Sequence, residues 1–267
     1  MTFLHIPADR EGANVALVGV PFDGCSTNRT GARFAPDAVR LAASSIETYS
    51  PYQKRDMEEI ACVDLGDVDI APGAVLRMME AVDTSVRQIR DHGAKPLLIG
   101  GESMMVMGAL EAMIELHPVL HLLYMDARPN TLQPDEDLYS DRTLGSRLQK
   151  KLGDDKVHFI GSRAGERVEL ESIETPSIDE TLGKIRADAP IFLALSMNVF
   201  DPAIAPGVTN PAMGGMKWLE FIKIHHVIKG RNLVGAAVGD FVPQYDPSGV
   251  TAVLTASVFR ELIILLG

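Results

Sequence analysis

"LLYMDARPN" (residues 122–130) is an apolar run that breaks off into Asp126, Arg128 and Asn130. Such a run reads as a strand covered on both faces, with its polar residues delivered at the C-terminal end, where open parallel sheets carry their active sites. Working outward, "VALVGV" (15–20), "IACVDLG" (60–66), "KPLLIGG" (95–101), "KVHFIGS" (156–162), "PIFLALSMN" (190–198) and "LVGAAVGDF" (233–241) are runs of the same kind. Amphipathic stretches separate them. "VLRMMEAVDTSVRQIRDHG" (75–93) has helical apolar spacing and stops at Gly93, while "MMVMGALEAMIELHP" (104–118) is ended by Pro118. "TASVFRELIILLG" (255–267) reads as a mostly buried closing helix. This alternation predicts an α/β fold, a three-layer α/β/α sandwich around a mainly parallel sheet. With no internal repeat, low-complexity tract or linker, residues 1–267 are expected to form one domain.

The chain has 267 residues, is 46% hydrophobic and carries a net charge of −11. One large core is within reach of such a length. An acidic surface repels phosphate backbones, so nucleic acid is not an expected partner. No window approaches the apolar length of a membrane span, and the N-terminus lacks the pattern of a secretory signal. Two cysteines, Cys25 and Cys62, make neither a disulfide framework nor a zinc knuckle, and the expected location is the reducing cytoplasm. Cys25 lies in a Gly-rich loop where a nucleophile is conceivable; Cys62 reads as a strand residue. Met104, Met105, Met107 and Met113 read as core filler on a helix. His225 and His226 are adjacent, so they point apart on a helix and are expected at a polar surface or an oligomer contact.

Several loops are more particular. "GVPFDGCSTNRTGARFAPDAVR" (19–40), "DLGDV" (64–68), "LIGGES" (98–103), "MDARPN" (125–130), "DPAIAPGVTNPAMGGM" (201–216) and "VPQYDPSGVTA" (242–252) resemble, in order, the signatures of the ureohydrolases: the arginase, agmatinase and formiminoglutamase superfamily. The resemblance spans essentially the whole chain and is nearest to agmatinase. It implies an arginase-like sheet of about eight strands. It also implies hydrolysis of a guanidinium or related C–N bond by a hydroxide bridging two Mn²⁺ ions, which need several charged oxygen and imidazole ligands.

The ligand positions implied by that resemblance are altered here. Gly-Gly-Asp-His appears as Gly100, Gly101, Glu102 and Ser103, and Asp-Ala-His-x-Asp appears as Asp126, Ala127, Arg128, Pro129 and Asn130. Ser-x-Asp-x-Asp falls on Ala194, Leu195, Ser196, Met197 and Asn198. Of the six ligand positions, Asp126 alone keeps a ligand. The family's proton-shuttling histidine aligns with Asp141, and its substrate-contacting glutamate with Asp240. Four carboxylates and two imidazoles are thereby reduced to one carboxylate and one guanidinium, with no net charge to set against two dications. Arg128 stays protonated at any useful pH. At ~4 Å and an effective dielectric of about 20, two like unit charges repel by roughly 4 kcal/mol, and a dication by about twice that.

The resulting expectation is a ureohydrolase-fold protein with no manganese cofactor, acting as a non-catalytic subunit, regulator or ligand binder. Arg128 is expected either to pair with Asp126, Glu102 or Asp240, or to hold a small anionic ligand with its planar fork and the helix N-terminus after "GGES". Ser103, Asn130, Ser196 and Asn198 would then be neutral lining. The alternative is an amidinohydrolase with an altered or mononuclear site built from Glu102, Asp126, Asp141, Asp201 and Asp240, or with Cys25 as nucleophile. Asp201 reads more simply as a turn residue. Expected partners are copies of the chain in a trimer or hexamer, or an active paralogue in a hetero-oligomer.

Overall fold

The computed structural model describes residues 2–7, 12–70, 74–133 and 138–267. All seven apolar runs form strands of one sheet. They are β1 (Val15–Val20), β4 (Cys62–Asp67), β5 (Lys95–Gly100), β6 (His121–Met125), β7 (Val157–Ile160), β8 (Ile191–Ser196) and β9 (Leu233–Gly239). The order is β4-β1-β5-β9-β8-β6-β7, and every neighbouring pair is parallel. A separate antiparallel ribbon joins β2 (Tyr49–Ser50) to β3 (Arg55–Asp56). The sheet thus has seven strands among the described residues, against the about eight that the family resemblance implied; the seven correspond one to one with the apolar runs.

The runs are continuous rather than alternating because each strand is covered twice. Leu97, Ile99, Leu123, Met125, Leu193 and Leu195 face a layer containing Val39 of α1 (Ala35–Ala43), Phe221 of α7 (Trp218–Ile228), and Phe259 and Leu262 of α8 (Val250–Leu266). Leu98, Leu122, Tyr124, Phe192 and Ala194 face the other layer. There they meet Met78 and Val82 of α2 (Val75–Asp91), Leu110 and Met113 of α3 (Met105–Leu116), and Leu148 of α4 (Leu144–Leu152). Short helices α5 (Arg167–Glu171) and α6 (Ile178–Lys184) lie between β7 and β8 in the chain. A one-residue slip of any strand would exchange its two layers, so the register is strongly held.

Helix ends follow local chemistry. Gly93, at φ +79°, lies just past α2 as expected. The closing helix begins five residues before Thr255, because Asp246 accepts from the N–H groups of Ser248 and Thr251 and caps an earlier start. Met104, Met105 and Met113 are buried in the core layer under α3. His225 corrects the surface reading: it is 2% exposed, on the inner face of α7. Burial pushes its imidazole down to about 4, so it is neutral at physiological pH. No helix among the described residues is long and apolar enough to cross a membrane.

Candidate functional site

Four adjacent strands deliver the site. The registers pair Ile99 with Val238, Leu195 with Val238, Ser196 with Gly239, and Met125 with Leu195. The C-terminal ends of β5, β9, β8 and β6 therefore finish level. Glu102 and Ser103, Asp240, Ser196 and Asn198, and Asp126, Arg128 and Asn130 emerge along one rim, as strand-end geometry predicts. Two corners are sharp: Asn130 and Asp240 adopt left-handed backbone at φ +56° and +70°, a region that short Asn and Asp side chains tolerate best after glycine.

Asp240 is buried and fully hydrogen-bonded. The Ser103 N–H donates to its Oδ1 at 3.0 Å and the Ser103 hydroxyl to its Oδ2, with the Ser196 hydroxyl also bonding to the carboxylate. Ser103 lies in the turn leading into α3, so the chain's own carboxylate already takes the anion position that this turn offers. Burial still pushes the Asp240 carboxyl above the ordinary range.

Asp126 is likewise enclosed. Its Oδ1 accepts from the Arg128 N–H at 3.1 Å; its Oδ2 accepts from the Tyr124 hydroxyl at 3.1 Å and the Asn130 Nδ2 at 3.2 Å. Asn130 Nδ2 also donates to the Tyr124 oxygen at 2.8 Å. Burial, then the nearby Asp240 charge, raise Asp126 to about 7 against the pull of its donors. Glu102 holds the neighbouring loop: its oxygens accept from the N–H groups of Cys25 and Ser26, each at 2.7 Å. Burial lifts it to about 7 as well.

The expected Arg128 ion pair is not formed with Asp126, Glu102 or Asp240. The guanidinium instead donates from Nη1 to the Asn210 carbonyl at 2.7 Å. It lines the same small cavity as those three carboxyl groups, which burial has pushed towards neutrality, but bonds to a carbonyl rather than to any of them. Asn198 exchanges two bonds with the Thr209 hydroxyl, at 3.1 and 3.2 Å, and accepts from the Asn210 N–H at 2.8 Å. Asp141 joins the same rim: it accepts from the Thr27 hydroxyl and from Asn210 Nδ2, each at 2.9 Å. Cys25 does not suit a nucleophile. Burial and the charges of Glu102 and Asp141 push its thiol up to about 12, so it stays protonated. Asp201 stands apart as the turn residue expected, accepting from the N–H groups of Ala203 and Gly215.

The sequence reading missed Tyr124, Thr209, Asn210 and Arg163. Tyr124 was one more apolar letter in a strand. Arg163 spends its guanidinium on six backbone carbonyls, those of Gly161, Asn198, Val199, Phe200, Ala212 and Met213. It fixes the loop that brings Asn198 and Asn210 to the rim, and an arginine after a strand was the only signal.

Between Glu102, Ser103, Asp126, Asn198 and Asp240 a cavity of ≈10 Å³ remains, about the room of one water. Arg128, Asn130 and Asn210 line this cavity too and, with Thr27, Arg142 and Glu166, also border a chamber of ≈360 Å³. Two manganese ions need carboxylate oxygens turned towards a shared space large enough to hold both. Here both oxygens of Asp126, Asp240 and Glu102 already receive protein donors. Among the described residues no group of three or more His, Cys, Asp or Glu side chains is arranged to hold a metal ion. The arrangement can hold protons on buried carboxyls and can present a guanidinium to the larger chamber.

Known proteins share this architecture. An agmatinase from Bacillus anthracis is 28% identical over 268 residues, covering 95% of this chain and 92% of that protein. A guanidinopropionase from Pseudomonas aeruginosa is 29% identical over 298 residues, covering 99% and 91%. The crystal structure of a putative agmatinase from Clostridium difficile superposes with a TM-score of 0.90 at 28% identity, covering 97% of this chain and 98% of that one. The Arginase family profile matches residues 13–265. With its parallel sheet and the rim it builds, the chain belongs to the arginase family and is agmatinase-like within it.

Proposed function

We propose that this chain is an agmatinase-like protein that has lost the dinuclear manganese centre and serves as a non-catalytic subunit, regulator or small-molecule binder. One observation carries the reading: each oxygen of Asp126, Asp240 and Glu102 already accepts from the chain's own donors, around a cavity of ≈10 Å³. Inserting a metal pair would require opening that cavity, dehydrating two dications and placing them near Arg128. The test is direct. Purified protein supplied with Mn²⁺ or Ni²⁺ should leave agmatine, arginine, guanidinobutyrate and formiminoglutamate unhydrolysed, and elemental analysis should find no stoichiometric manganese. Turnover that a chelator abolishes would overturn the reading.

The relatives' names favour a second reading, an amidinohydrolase with an altered or mononuclear metal site. Asp126, Asp141 and Asp240 are the carboxylates it would use, and the same assay decides between the two. As a binder, the protein would use the larger chamber. Arg128 has no carboxylate partner among the described residues and borders that ≈360 Å³ space, which suits a small anion. Thermal shift with carboxylates against polyamines checks this: stabilisation by the cations alone sinks it. Assembly as a homo-oligomer, or with an active paralogue, is read by light scattering and pull-down.

A further inference from the structure

The sheet has two edges, and the chain treats them differently. At β4 the Asp64 N–H donates to the Pro7 carbonyl at 3.0 Å, and the Asp64 carboxylate accepts from the Phe3 N–H at 2.8 Å. The N-terminal segment thus covers that edge. At β7 no strand or loop among the described residues does the same. The Ile160 carbonyl accepts from the Asp126 N–H at 3.2 Å, so Ile160 turns its backbone towards β6. Backbone direction alternates along a strand, so Val157 and Phe159 turn their N–H and C=O groups away from the sheet. These four groups have no hydrogen-bond partner among the described residues, although both residues are buried. Buried backbone groups are nearly always paired.

A groove of ≈540 Å³ follows this edge. Val157 and Phe159 pack into the layer of α2, α3 and α4, whereas His158 is in register with Leu123, which faces the opposite layer. All three line the groove, with Gln149 of α4 and Thr181 of α6, so it straddles the edge instead of lying on one face. Its lining charges are Asp154, Asp155, Glu174 and Lys184. Glu174 and Lys184 pair at 2.7 Å and cancel, which leaves the two exposed aspartates just before β7. Lys156 is not in the lining, and Arg231 spends its guanidinium on the carbonyls of Leu182, Ile185 and Arg186.

We propose that the β7 edge receives an extended, basic segment of another polypeptide, added to the sheet as a further parallel or antiparallel strand. Its backbone supplies the partners that Val157 and Phe159 lack, the mode in which a peptide augments an open sheet edge. Its alternate side chains fall on the Val157 and Phe159 side and on the His158 side of the groove. A lysine or arginine beside Asp154 and Asp155 sets its chemistry. A folded second copy is the poorer occupant: its own β7 is equally recessed, carries the same two aspartates, and belongs to a chain of net charge −11. The groove shares no lining residue with the cleft at the strand ends, so the inference holds whether or not the chain hydrolyses anything.

The experiment uses the full-length protein and three fluorescent probes. The first is a short peptide of alternating valine and threonine flanked by lysines. The second carries glutamates for the lysines, and the third is the lysine peptide with every backbone nitrogen methylated. By anisotropy the lysine peptide should bind, and the other two at least about tenfold more weakly. Hydrogen exchange at the Val157 and Phe159 amides should slow when it is bound. Changing Asp154→Asn and Asp155→Asn together, both on the surface, should weaken it roughly threefold and leave the melting temperature unchanged. No binding at millimolar lysine peptide, equal binding of the methylated peptide, or unslowed exchange at the two amides overturns the proposal. Equal binding of the lysine and glutamate peptides overturns the basic character of the partner. Self-association that slows the same amides, read by light scattering against concentration, gives the edge to a second copy and overturns it as well.

Discussion

Ser103 donates twice to Asp240, from its backbone N–H at 3.0 Å and from its hydroxyl, and so clips the turn before α3 to the end of β9. Where the family pattern sets a histidine ligand, this chain has placed a donor that consumes a carboxylate. Ser103→Ala leaves a buried carboxylate oxygen short of a partner. The expected cost is about 1–3 kcal/mol in urea unfolding, and a change within about 0.5 kcal/mol would show that the clip carries no stability.

On the proposed reading, one added family ligand is too few to hold manganese. Arg128→His alone removes the fixed cation but leaves Ser103, Asn130, Ser196 and Asn198 without charge or imidazole. We expect no stoichiometric manganese in that variant by elemental analysis. The combined change Ser103→His, Arg128→His, Asn130→Asp, Ser196→Asp and Asn198→Asp supplies the charge that two dications need, and should gain chelator-sensitive manganese binding. Manganese bound by the single variant would mean that ligands other than these hold it.

The buried acids set a pH dependence opposite to the usual one. Asp126 and Glu102 keep their protons up to about 7 in the folded chain, whereas unfolded carboxyls release theirs near pH ~4. Between those values the folded state binds more protons, so their contribution to stability falls as pH rises from about 4 to 7 and is flat on either side. Asp126→Asn removes its share. The melting temperature of the wild type minus that of the variant should therefore decline across this window, and a difference that rises with pH would contradict the assignment.

His225 and His158 act in the other sense. Each is pushed down to about 4 in the fold, so between about 4 and the ordinary histidine value near ~6.5 the unfolded chain binds more protons. Stability from these groups is present above that window and is lost as pH falls through it. His225→Phe should flatten the acid limb of the melting curve. An unchanged limb would place the acid sensitivity elsewhere.

Arg163 is a positioning residue with all its reach spent on carbonyls of the 198–213 loop and of Gly161. Arg163→Lys keeps the charge but cannot span that set with one ammonium. A loss of roughly 2–4 kcal/mol is expected in unfolding experiments, since bonds to a charged donor are worth about 1.5–3 kcal/mol each and lysine recovers some. Unchanged stability would show that the loop holds itself.

The layers of the fold were legible in the sequence because burial on both faces leaves unbroken apolar runs, and all seven became strands. The eighth strand was borrowed from the family and has no run behind it. Glu102, Ser103, Asp126, Asn130, Ser196, Asn198 and Asp240 were legible as one site through the motifs shared with the ureohydrolases, and they line one cavity at the strand ends, with Ser196 the last residue of β8. Their partners were not. Asn210 reaches Arg128 and Asp141 from a loop 82 and 69 residues away, and nothing periodic marks such a contact. The direction of Arg128 was unreadable for the same reason, since its choice between carboxylates and a backbone carbonyl depends on how deeply burial protonates the acids. His225 misled because adjacency of two histidines says nothing about which one faces the core.

The left-handed corners at Asn130 and Asp240 bear on how this cleft changes over generations. Branched and bulky side chains are strained there, while asparagine, aspartate and glycine are tolerated. Two of the polar groups lining the cleft are thus preserved by the demands of folding alone. A substitution that removes either group therefore strains the backbone as well as altering the chemistry of the cleft.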